Sequence, residues 1–101
     1  MDFKTLTAAL QKELKMEKPD FIEDTDTSFS IGFLELSATQ SLIFAVQDYR
    51  GKQYFDIRTW YQEQNGEWKP TKKGVHFGFE KFTDFIALIE LFKSTQKIAQ
   101  G

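Results

Sequence analysis

The sequence contains no cysteine and a single histidine, His76. The first absence removes disulfides, thiolate nucleophiles and zinc–sulfur sites, and fits a reducing compartment. The second leaves no partner imidazole for a relay or a metal, so His76 reads as structural or as a minor contact. No serine elbow is present either, so nothing supports catalysis and no cofactor or metal is expected. Proline occurs only at positions 19 and 70. No apolar run approaches the roughly 20 residues of a membrane helix, and Met1-Asp2-Phe3-Lys4 lacks the charged-then-apolar form of a secretory signal. The expectation is a soluble intracellular protein that makes no membrane contact.

What is abundant is aromatic. In 101 residues, 41% are hydrophobic and 16% aromatic, with eleven phenylalanines. One domain of this length buries one modest core, so rings are left over for contact surface. The net charge of −2 is unevenly spread. From Ser41 to His76 six basic residues face four acidic ones, a net of +2, which leaves −4 for the rest. Much of that lies between Glu13 and Asp26. A local basic surface can hold phosphate although the whole chain is slightly acidic. Asp20, Glu23, Asp24 and Asp26 match no calcium-loop spacing and read as a solvated linker.

Periodicity divides the chain. Phe3, Leu6, Leu10 and Leu14 predict a helix over 3–16 with Asp2 as N-cap. Pro19 ends that pattern. From Ser28 the period becomes two, with a phase slip near Phe33 that predicts a bulge. Leu42, Phe44 and Val46 oppose Ile43, Ala45 and Gln47 on the next strand. Phe55 and Ile57 oppose Tyr54, Asp56, Arg58 and Trp60 on the third. Asp48 to Gly51 is a turn, and Asn65-Gly66 is the stronger hairpin signal. Trp68 to Phe79 forms a fourth strand, which Pro70 starts at an edge or with a kink. A helix from about Glu80 to Thr95 carries a stripe of Phe82, Phe85, Ile86, Ile89 and Phe92. Leu88 and Leu91 fall outside it, an apolar surplus that suits burial by a second copy. The fold class is α+β: a four-stranded antiparallel meander packed by a C-terminal helix, plus an extra N-terminal helix. Residues 1–27 form the helix and acidic linker, 28–95 the binding domain, and 96–101 a frayed tail.

Three blocks carry a resemblance: Asp48-Tyr49-Arg50-Gly51-Lys52, Phe55-Asp56-Ile57-Arg58-Thr59-Trp60-Tyr61, and Gly66-Glu67-Trp68-Lys69-Pro70-Thr71-Lys72-Lys73-Gly74. In this order and spacing, the stretch from Phe44 to about Phe92 resembles the single-stranded-DNA-binding domain of the positive cofactor four family of transcriptional coactivators. The resemblance implies a homodimer of curved sheets that binds single strands with little sequence preference. It places Tyr49 at a base-stacking position, Arg50 and Lys52 beside it, and Arg58 at the strand arginine. Trp60 and Tyr61 fall at paired aromatics, and Lys69, Lys72 and Lys73 at the basic residues of the last strand. Gln40 and Gln47 stand where relatives often carry cations.

These residue types suit the chemistry, since sequence-tolerant binding needs cations for phosphates and rings for bases. Each also has a plainer reading. Trp60 could cover a dimer seam, Tyr61 falls on the core face by simple alternation, and the lysines could be a solvated cluster. Trp68 reads best as a hairpin-end hydrophobe against Tyr61. The expected function is non-catalytic binding of single-stranded DNA, with RNA as a second candidate, in transcription, replication or repair. An interaction module that recruits transcription or replication proteins through the N-terminal helix is the alternative. A third option has the acidic segment folding over the basic sheet and competing with phosphates.

Overall fold

A computed structural model describes residues 1–14 and 17–101. Helix α1 spans Phe3–Glu13, and its N-terminus is held by Asp2, whose Oδ1 accepts from the Thr5 amide at 2.8 Å. Leu14 is already extended, so the described helix ends before the expected boundary; Lys15 and Met16 lie outside the described residues. Four strands follow: β1 Ser28–Ser37, β2 Gln40–Tyr49, β3 Lys52–Gln62 and β4 Trp68–Gly78. A short 3-10 turn, Phe79–Lys81, leads into α2, Phe82–Gln100. That helix continues well past Thr95. Gln96, Lys97, Ala99 and Gln100 are good helix formers, and their propensity prevails over the polarity that suggested fraying. No helix is long and apolar enough to cross a membrane among the described residues.

The strands pair in sequence order, all antiparallel, which makes the sheet the expected meander. The slip in β1 lies between Ser30 and Gly32, slightly earlier than the phase change suggested. Of the three hairpins, the two after β2 and β3 differ from expectation in kind. The tight one is Tyr49-Arg50-Gly51-Lys52, in which Arg50 (φ 53°) and Gly51 (φ 79°) both take left-handed conformations. Asp48 Oδ1 accepts the Gly51 amide at 3.1 Å. At Asn65-Gly66 only the glycine has positive φ, at 88°. There Asn65 supplies a side-chain acceptor to the Glu67 amide in a wider loop.

Strand alternation creates two faces. The helix face carries Phe29, Val46 and Phe55, on which α1 sets Phe3, Leu6 and Leu10. The N-terminal helix therefore docks on its own protomer. Phe55 is the hub of an aromatic group, 4.2 Å from Phe79, 4.7 Å from Phe82 and 5.7 Å from Phe77 between ring centroids. Phe85 packs on Phe77 at 4.7 Å. Beyond that first turn α2 leaves the sheet, and its stripe is uncovered: Ile86, Ile89 and Phe92 are exposed, the last at 71%. The chain exposes 7921 Å². A compact monomer of this mass would expose about 5,900 Å².

Candidate nucleic-acid interface

The opposite, outer face is built from the other parity of β3: Tyr54, Asp56, Arg58 and Trp60. Their cross-strand neighbours are Gln47, Ala45, Ile43 and Ser41 on β2, and Gly78, His76, Gly74 and Pro70 on β4. Arg58 is fixed rather than free. Its Nη2 and Nε donate to the two oxygens of Asp56 at 2.9 and 3.3 Å, and its Nη1 donates to the Thr71 carbonyl at 3.2 Å. The hydrogen bonds to Asp56 raise the Arg58 pKa above its ordinary value, against a smaller opposing effect of burial. Asp56 itself is only 5% exposed and also lies 3.1 Å from His76 Nδ1. Tyr54 stacks on the His76 ring at 4.8 Å. Bidentate, charge-assisted hydrogen bonds thus fix one guanidinium on the same strand face as Trp60.

The lysines owe their position to a bulge. Between the pairs Arg58↔Gly74 and Trp60↔Pro70, β3 has one residue and β4 has three. Thr71 anchors this excess: its hydroxyl donates to the Thr59 carbonyl at 2.7 Å and accepts from the Lys73 amide at 3.1 Å. Lys72 and Lys73 are both exposed on it. Gly74 closes the bulge so tightly that a Cβ there would sit 2.2 Å from the Ile57 carbonyl oxygen. Only glycine permits that approach.

At the far end, Tyr49 is 61% exposed, and the Arg50 guanidinium carbon lies 5.2 Å from its ring centroid. Lys52 stands 3.9 Å from Glu80, a loose and exposed pair. Lys52 and Trp60 are separated by about 26 Å at the rise of an extended strand. Tyr49, Lys52, Arg58 and Trp60 share the outer face, strung along its length. Tyr61 and Lys69 pair with each other on the opposite parity, as alternation requires. Lys69 is held by Glu63 at 3.1 Å, which raises its pKa.

Three outer-face residues were not among the expected site residues. Tyr54 and His76 could have been found from their phase with Arg58. Trp68, which reads from the sequence as a hairpin-end hydrophobe, pairs opposite Gln62 and so lies on the outer face near Trp60. Its stacking partner is Phe21 of the linker, not the expected Tyr61: the rings are 4.3 Å apart and 5° from parallel. Phe21 also lies 5.7 Å from Trp60. Among the described residues no group of three or more His, Asp and Glu side chains is gathered for a metal.

The family model described as Transcriptional Coactivator p15 (PC4) matches residues 37–88, from the end of β1 into α2. A PC4 homolog from Burkholderia pseudomallei K96243 is similar in structure, with 27% identity and a TM-score of 0.60, over 70% of this chain and 96% of that one. The bacteriophage T5 homolog of the eukaryotic transcription coactivator PC4, implicated in recombination-dependent DNA replication, is 29% identical. Its TM-score is 0.45, over 75% of this chain and 94% of that one. No curated protein matches the sequence.

Proposed function

The chain belongs to the transcriptional coactivator p15 (PC4) family, which carries a nucleic-acid-binding, coactivator-like role, and from that premise we propose that it binds single-stranded DNA, without catalysis and with little sequence preference, along the outer face of its sheet. The observation that carries this reading is the bidentate pair of Arg58 and Asp56 on the same strand face as Trp60, flanked by Lys72 and Lys73 on the Thr71 bulge. A fixed guanidinium and raised ammonium groups suit phosphates, and the aromatic rings suit bases, each stacked base being worth about 1–3 kcal/mol. Tyr49, Arg50 and Lys52 extend the track to the other end of β3. Tyr61 and Lys69 lie on the opposite parity, and Lys69 is held by Glu63, so neither is part of this track.

The working unit is a homodimer. The apolar surplus of α2, the uncovered stripe past Phe85 and a surface about 2,000 Å² larger than a compact monomer's all support a second copy packing there. Two sheets side by side would double the basic, aromatic track.

The test is anisotropy of a labelled oligothymidine of about 20 nucleotides across a salt series, with duplex of equal length as competitor. The expected result is binding that duplex fails to displace, with a log–log slope of about −0.7 per phosphate neutralised. Tyr49→Ala should lose affinity with an unchanged slope, because stacking releases few counterions. No binding at low salt would reject the proposal. Sedimentation equilibrium should give twice the chain mass, and Phe92→Asp should give one.

A further inference from the structure

The middle of the linker, Phe21 to Glu23, lies on the outer face. Helix α1 packs on the helix face, whereas Phe21, Ile22 and Glu23 lie against outer-face residues of the sheet. The linker is then held in place. A turn closes from the Ile22 amide to the Pro19 carbonyl at 3.1 Å, and Asp24 accepts from the Ser30 amide and from Lys18, both at 2.9 Å. Ile22, 7% exposed, and Glu23 line a cleft of about 380 Å³ together with Ile43, Asp56, Arg58 and Trp60. Phe21 lies flat on Trp68, with the Trp60 ring 5.7 Å away and tilted by 40°.

The chemistry of this segment is that of the ligand it lies across. A flat ring at 4.3 Å, nearly parallel to an indole, occupies the space and orientation a stacked base would take. Five carboxylates against one lysine give residues 17–27 a net charge of −4, and since the chain totals −2 the remainder carries +2. Of these carboxylates Glu23 lines the same cleft as Arg58, whereas Asp24 is paired with Lys18 and Asp26 lies beside Phe3 and Lys4 of α1. Yet the contact is shallow: Glu23, Thr25 and Asp26 are exposed and Phe21 only half-buried.

Resting on the single-strand reading of this face, we propose that residues 17–27 are a built-in, displaceable competitor, in which Phe21 stands in for a stacked base on Trp68 and Trp60 and Glu23 for a phosphate beside Arg58. A strand must lift this segment to reach the two tryptophans. The apparent affinity then falls by the fraction of molecules in the open form, so a segment closed nine-tenths of the time weakens binding about tenfold. The segment also discriminates, since a ligand without rings to replace Phe21 gains nothing at that end.

The experiment uses the full chain and a labelled oligothymidine, comparing the native protein with Phe21→Ala and with a Lys72→Ala/Lys73→Ala double variant. The expected result is native binding, weaker binding by the lysine variant, and binding about tenfold tighter by Phe21→Ala. Native binding weakened by the lysine change but unchanged or weakened by Phe21→Ala would overturn the competitor and leave the single-strand reading standing. Binding by none of the three proteins would remove both. A second measurement needs no variant: the nuclear Overhauser contact between the Phe21 ring and the Trp68 indole should be present in the free protein and lost at saturating oligothymidine. Its persistence in the complex would equally overturn the proposal.

Discussion

The two faces of the sheet come from the same strands and one alternation rule, yet they are finished differently. The helix face is apolar, carries α1 and the aromatic group around Phe55, and is still incompletely covered where α2 departs. The outer face is polar and aromatic, is fully hydrogen-bonded around Asp56, and is overlaid at its tryptophan end by a segment of opposite charge. On the first face missing contacts call for more burial. On the second, the contacts present are of kinds a solvated polyanion can replace. Parity on β3 thus separates a face held by apolar packing from one held by polar and charge-assisted contacts.

The sharpest break between the faces should come from Phe55→Ala. It empties the aromatic hub and should cost about 3–5 kcal/mol in denaturant unfolding. Arg58→Ala tests whether the outer face is purely functional. Asp56 would be left buried with His76 as its remaining side-chain partner, so unfolding should lose about 2 kcal/mol in addition to the loss of oligothymidine affinity. Lys73→Ala, one bulge away, should lower affinity with a stability change under about 0.5 kcal/mol. If the two variants were equally stable, Arg58 would not be the structural member of the array. Arg50→Asn should move the two readouts in opposite directions, because asparagine tolerates the left-handed turn better. Stability should rise by about 0.5–1 kcal/mol while binding weakens.

The smallest effect concerns α1. The Thr5 hydrogen bonds hold the Asp2 carboxyl below its ordinary 3.8. A pKa depressed on folding contributes stability that is complete above the unfolded value and disappears as pH falls through the folded one. Thermal unfolding of Asp2→Ala should therefore depend less on pH below about 4 than that of the native chain. Identical acid limbs would show that this cap adds nothing to the docking of α1.

Much of this was legible in the sequence because alternation is a strong signal in long antiparallel strands. The parity of Phe55 and Ile57 against Arg58 and Trp60 and the bulge in β1 followed from it, while Pro70 left an edge or a kink as the choices for β4. What was hidden depends on contacts distant in sequence. Nothing near Trp68 indicates that its partner is Phe21, forty-seven residues earlier. The tight left-handed turn fell at Arg50-Gly51 because Asn65-Gly66 belongs to a wider loop, and dipeptide preference cannot weigh loop length. The stripe on α2 was read as core. Its periodicity is real, but a period says which side is apolar and not which molecule covers it.

The excess of residues in β4 has an effect that requires no ligand. An eleven-residue strand at the border of a sheet offers a row of free amides and carbonyls on which another chain could grow. In a sequence with eleven phenylalanines, such growth would lead to fibres. Pro70 removes one donor, the extra turn of chain at Thr71 to Lys73 spoils the spacing of those that follow, and two ammonium groups repel an identical neighbour. The border of the sheet is closed to a fifth strand by the same five residues that hold its lysines outward.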